Sequence, residues 1–212
     1  MGLQSKYINM RSLSEIETTV KRATRAAGYS WGISEDVGKS IRILELFGLP
    51  GIKNLNQYYK DKNFKKFENL NLISEKNISN SLPFCPIILG ISFLDQVKMI
   101  EQIKRINFGI IAYPIIFLSF LSRASEIIGK KIYIKIDNNE FLLNYNVNIY
   151  SNISNKNLVL KEMNAEVEII DNQDNFSDNE WKELYQLSEN TFVEENESLK
   201  QGGAGAGLTD ND

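Results

Sequence analysis

Three features of this chain predict an α+β fold: apolar residues at helical spacing near the start, strict alternation around residue 140, and a helix-start signal near residue 177. With 42% hydrophobic and 24% charged residues, the 212-residue chain can bury a sizeable core, so a single domain is expected. Its parts read as a helical pair over 1–51, a polar connection over 52–82, an α+β core over 83–193 and an acidic, Gly-rich tail over 194–212.

In the first helix, Leu13, Ile16, Val20, Ala23 and Ala27 recur at three- and four-residue spacing and make one apolar face. Either Ser12 with Glu15 or Ser14 with Glu17 supplies a capping box, and Gly28 suits the stop. The loop Tyr29–Gly32 then leads to Ser34, the expected cap of a second helix carrying Val37, Ile41 and Leu44. That helix should end at 47–51, where Gly48, Pro50 and Gly51 oppose continuation. Residues 52–82, rich in Lys and Asn, read as one or two short helices and surface loop.

From Pro83 the chain turns apolar. After Cys85–Gly90, residues Leu94, Val97, Ile100 and Ile103 mark a helix, and 108–113 reads as a buried strand. Pro114 fits the first turn of a further helix that exits at Gly129. The 17 uncharged residues between Arg105 and Arg123 are too few, and too interrupted by Asn107 and Pro114, for a membrane span. A buried strand followed by a buried helix fits them better.

Next, Ile132, Ile134 and Ile136 alternate with polar residues, and after a hairpin at 137–139 so do Phe141, Leu143, Tyr145, Val147 and Ile149. A strand at 165–170 follows a weaker one at 157–160, so a largely antiparallel sheet is expected. Ser177 and Glu180 form a capping box flanked by the staple pair Phe176 and Trp181. The helix they start, 178–190, should bury Trp181, Leu184, Tyr185 and Ser188.

The chain has no histidine, which removes imidazole-based nucleophile activation, imidazole acid–base catalysis and the commonest zinc sites. Its single cysteine excludes an intramolecular disulfide. A net charge of −3 argues against nucleic acid as the main partner. No apolar signal-peptide core follows Met1, so a reducing, cytoplasmic compartment is expected. No cofactor motif is evident.

Candidate functional side chains are few. Cys85 sits among apolar neighbours with no basic residue close in sequence, the setting of an inert structural thiol. Between the first two helices, Tyr29 and Trp31 either line a small-molecule pocket or belong to the core. A phosphate cradle in that loop is rejected, because Glu35 and Asp36 are expected in the first turn of the next helix. Arg123, with Glu126, either anchors a ligand carboxylate or ends an amphipathic helix in solvent. Asp95, in an otherwise apolar run, is either a catalytic acid or part of a solvated face or local cap.

The tail stands out against its background. The chain has 27 Ile and 24 Asn, yet four of its 13 Gly and two of its eight Ala fall within 202–207. In an extended chain Gly203, Gly205 and Gly207 face one way, so that a ligand, an aromatic plane or a strand can approach the backbone closely. Glycines at positive φ would instead form an anion nest. Thr209, Asp210, Asn211 and Asp212 then add an oxygen-rich end of the kind that holds Mg²⁺ or Ca²⁺, although the spacing alone assigns no metal site. The plainer alternative is a solvated end.

Residues 13–52, 113–134 and, most specifically, the run GAGAGLTDND at 203–212 resemble a proteobacterial domain-of-unknown-function family of about this length. The resemblance implies one full-length domain that includes the tail, and implies no reaction. The resulting expectation is a small-molecule-binding metabolic protein, possible enzymatic chemistry being limited to carboxylate- or metal-assisted routes. Its pocket would be lined by Tyr29, Trp31, Arg123 and 203–212, with Asp210 or Asp212 as acid, base or metal ligand. The alternative is a non-catalytic accessory subunit whose tail inserts into a partner protein. Self-association stays open; membrane and nucleic acid are not expected partners.

Overall fold

The computed structural model describes residues 10–144, 148–153 and 158–191. The chain divides into two units, Met1–Asn172 and Gln173–Asp212.

In the first unit, α1 (Leu13–Ala26) starts at Ser12, whose hydroxyl accepts the Glu15 N–H at 3.1 Å. Helix α2 (Trp31–Leu46) starts earlier than expected. Ser30, in extended conformation, is its cap, accepting the Ile33 N–H at 3.4 Å. Ser34 is instead buried one turn inside the helix, where its hydroxyl donates to the Ser30 carbonyl at 2.7 Å. Glu35 and Asp36 therefore lie beyond the first turn. Helix α3 (Gly51–Lys62) follows almost at once; its Pro50 cap offers no side-chain oxygen, and Glu45 Oε1 accepts the Ile52 N–H at 2.8 Å in its place.

A two-residue strand β1 (Lys76–Asn77) precedes α4 (Pro86–Ile100), which begins inside the apolar run at Cys85 and ends before Ile103. The long uncharged run divides between β2 (Arg105–Ala112) and α5 (Pro114–Ile128), a strand then a buried helix. Among the described residues no helix is long and apolar enough to cross a membrane. Ile115, Ile116, Phe117, Leu118, Phe120 and Leu121 are fully buried, each stabilising the fold by about 1.5–3 kcal/mol through apolar transfer. Gly129, at φ 64°, closes α5 in the left-handed conformation that glycine adopts without steric cost.

The remaining strands are β3 (Lys131–Ile136), β4 (Asn139–Asn144), β5 (Asn148–Ser151) and β6 (Glu162–Ile170). The alternating run 141–149 belongs to two strands, because β4 and β5 pair antiparallel with Asn144 opposite Asn148. No strand is assigned to 158–160 of the expected weak strand; residue 157 lies outside the described residues. The sheet order is β1-β2-β6-β3-β4-β5, antiparallel except for the short β1–β2 pair. Helix α5 packs on β3, β4 and β6 and also meets α2, α3 and α4, which makes it the centre of an α+β core.

In the second unit, α6 (Asp178–Glu189) carries the full reciprocal capping box. Phe176 and Trp181 stack with centroids 5.5 Å apart, as the staple predicts. The expected burial fails: no residue of α6 is buried, and Trp181 is 54% and Leu184 61% exposed.

Candidate functional site

The end of α3, the α1–α2 turn and the start of α4 enclose a recess of about 410 Å³ lined by Tyr29, Tyr58, Lys62, Lys65, Lys66 and Cys85, among others. Its floor is a buried polar cluster. The Tyr29 and Tyr58 hydroxyls are 2.6 Å apart, and Cys85 Sγ lies 3.0 Å from the Tyr58 hydroxyl and 3.7 Å from that of Tyr29. The Ile88 N–H, in the first turn of α4, also donates to Sγ at 3.5 Å.

Local structure holds each member in place. The Cys85 N–H donates to the Glu68 carbonyl at 2.8 Å, and the preceding Phe84 bonds in both directions with β2, to Ile110 and from Ala112. Tyr58 packs at 5.1 Å from Phe67 and edge-on to Tyr113 at 6.1 Å. Tyr113 is one of the two non-glycine residues at positive φ among the described residues (46°), and its hydroxyl donates to Asp61 Oδ2 at 2.8 Å. That pair ties the β2–α5 junction to α3.

Charge gathers at the rim. Lys62 donates to the Ala27 carbonyl at 2.8 Å and lies 4.1 Å from the Tyr29 ring centre, a cation–π contact that also clamps the turn. Lys65 pairs with Glu162 at 3.3 Å. Lys66 is exposed and has no partner among the described residues. Burial pushes the Tyr29 and Tyr58 hydroxyls far above the ordinary tyrosine range, and the adjacent Cys85 sulfur adds to the effect. Both hydroxyls therefore stay protonated at neutral pH and available as donors. Apolar and hydroxyl-bearing below and cationic above, the recess can hold a small anion whose body reaches the tyrosine floor.

The predicted site residues are distributed. Tyr29 is core and lining at once: 8% exposed, with its hydroxyl in the floor cluster. Trp31 is 57% exposed, its ring 5.7 Å from Lys21 Nζ and 5.6 Å from the Arg25 guanidinium. Arg123 lines another recess and donates to Asp36 Oδ1 at 2.8 Å. The reason for rejecting an anion at the α2 start does not hold, since Glu35 pairs with Lys21 and Asp36 with Arg123, both past the first turn. Asp95 is exposed on α4, on a solvated face of that helix. Gly203, Gly205, Gly207, Thr209, Asp210, Asn211 and Asp212 lie outside the described residues.

Sequence reasoning missed Tyr58 and the lysines. The signal was the run YYKDKNFKK at 58–66, a tyrosine pair followed by a lysine cluster, but nothing local in it points to Cys85.

Residues 11–83 match the model of a family described as a protein of unknown function (DUF3726). The match covers α1, α2, α3 and β1; the segments 113–134 and 203–212 lie outside it. No curated protein and no solved structure matches the chain.

Proposed function

We propose that this protein binds a small anionic metabolite in the recess between α3, the α1–α2 turn and the start of α4. The observation that carries the reading is the juxtaposition of Lys62, Lys65 and Lys66 with the buried Tyr29–Tyr58–Cys85 floor. Lysines supply long-range attraction and charge-assisted hydrogen bonds; the fixed hydroxyls supply orientation. A reducing, cytoplasmic setting belongs to this reading, since a free thiol lines the floor. With no histidine in the chain, any proton transfer at the site falls to tyrosine, thiol, lysine or carboxylate.

Calorimetric titration with inorganic phosphate, malonate and 4-hydroxybenzoate tests the reading. At least one should bind saturably, and Lys66→Glu should weaken it about tenfold or more. Absence of binding by all three, or equal binding by Lys66→Glu, defeats it. The same titration on a chain ending at Gln201 shows whether the C-terminal segment helps to close the pocket.

A second reading, a non-catalytic accessory subunit whose C-terminal region engages a partner protein, is supported by α6. That helix is fully capped yet leaves Phe176, Trp181, Leu184 and Tyr185 exposed. Loss of a co-purifying partner on Trp181→Ser, with anion binding intact, would favour it.

A further inference from the structure

Helices α2 and α5 contribute to a second recess of about 480 Å³, lined by Lys39, Arg42, Leu46, Phe47, Arg123 and Glu126 among others. Two guanidinium nitrogens there are left incomplete. Arg123 uses Nη2 for Asp36, but its Nη1 is buried without a hydrogen-bond partner among the described residues. Arg42 Nε lies 3.0 Å from Glu17 Oε2, close enough for an ion pair, yet makes no directed hydrogen bond. A buried N–H without an acceptor is costly, so the two guanidinium groups beside this recess are incompletely compensated.

We propose that this recess is a separate binding site for a monocarboxylate with a short apolar body. The carboxylate takes Arg123, Arg42 and Lys39 as its counter-charges, and the body lies against Leu46 and Phe47. A single negative charge suits the site better than a dianion. Three cations line it, but Glu126 also does, and Glu17 and Asp36 already share two of the cations. The apolar residues favour a carbon skeleton over an inorganic ion.

The test uses the full chain with assigned backbone resonances, titrated with phenylacetate, phenylacetamide and inorganic phosphate. Phenylacetate should shift the Ile43, Phe47 and Arg123 amides saturably, with a Kd on the order of 1 mM or below. Phenylacetamide and phosphate should bind at least about tenfold more weakly at these amides. Arg123→Lys, which keeps the charge and removes the planar fork, should weaken phenylacetate about tenfold. Leu46→Glu places a carboxylate at a 57% exposed position, so the fold persists while binding is lost. Lys66→Glu should leave these shifts unchanged, which separates this site from the lysine-rimmed recess. The proposal is overturned if phenylacetate shifts none of these amides, if phenylacetamide or phosphate binds as tightly, or if binding survives Leu46→Glu.

Discussion

The hydroxyl of Tyr58 lies 3.0 Å from the sulfur of Cys85, and both groups are almost wholly buried. Tyr58 also meets Tyr29 at 2.6 Å, so its single hydroxyl joins two partners that otherwise stand 3.7 Å apart. Tyr58→Phe removes the middle of this network and leaves two buried polar groups short of a partner. It should cost about 1–3 kcal/mol in urea unfolding. A double-mutant cycle with Cys85→Ala should give a coupling of about 0.5–3 kcal/mol. Strict additivity would show that the two groups are neighbours without being energetically linked.

Tyrosine ionisation should report the same burial. Burial raises the pKa of Tyr29, Tyr58, Tyr59 and Tyr113 above the ordinary 10.0, and for Tyr113 the Asp61 carboxylate that accepts its proton adds to the shift. A raised folded-state value means that the unfolded chain loses these protons first. Stability from this source is complete below about pH 10 and falls as pH rises through and beyond it. Ultraviolet titration of the nine tyrosines should show these four ionising only as the chain unfolds in alkali. Reversible ionisation of all nine near the ordinary value, with native circular dichroism, would contradict the buried cluster.

Gly90 is a packing position. A Cβ there would sit 2.3 Å from Phe120 Cδ2, inside the fully buried contact between α4 and α5. Gly90→Ala should therefore destabilise by about 1–3 kcal/mol or more, despite alanine's better helix propensity. Phe120→Leu in the same chain should recover part of the loss relative to the sum of the two single changes. If Gly90→Ala raises the melting temperature, the close α4–α5 approach is refuted.

The α6 capping box should carry an acid signature. Glu180 accepts the Ser177 N–H and hydroxyl, each at 2.7 Å, and these bonds hold its carboxyl below the ordinary value. A depressed folded-state value means that the contribution is present above the ordinary glutamate range and lost as pH falls through the folded value. Ser177→Ala should speed amide exchange in the first turn of α6 about fivefold at neutral pH. The difference from wild type should shrink in acid. Equal exchange at neutral pH would show that the box does not hold the helix.

The sequence by itself determined whatever depends on neighbours within a turn or a pleat. Ile132, Ile134 and Ile136 show the buried face of β3 because side chains alternate along a strand, and all three are fully buried. Pro114 and Gly129 bracket α5 because one lacks a donor that the first turn does not need and the other accepts positive φ. The Ser177–Glu180 box is legible because its two bonds close within four residues. Local signals misled at the start of α2, where Ser34 has the residue type of a cap but Ser30, four residues earlier, caps the helix. They also failed where burial needed a distant surface: the apolar stripe of α6 is a true helix face, but helical periodicity says nothing about what covers it.

Only the tertiary structure decided which residues share a site. β6 pairs between β2 and β3, which precede it by dozens of residues, so the sheet order rests on contacts that no local pattern encodes. Cys85 looks inert from its flanks; its hydroxyl and lysine neighbours arrive on α3, the segment that follows it and the α1–α2 turn, and its own backbone is pinned to Glu68. Arg123 was legible as a cation beside apolar surface, but the orphaned Nη1 and the nearby Arg42 follow from the packing of α2 on α5. The physical reason is one of range. Propensity, capping and alternation act over a few residues, whereas the chemistry of a recess is the sum of side chains that the core brings together from remote parts of the chain.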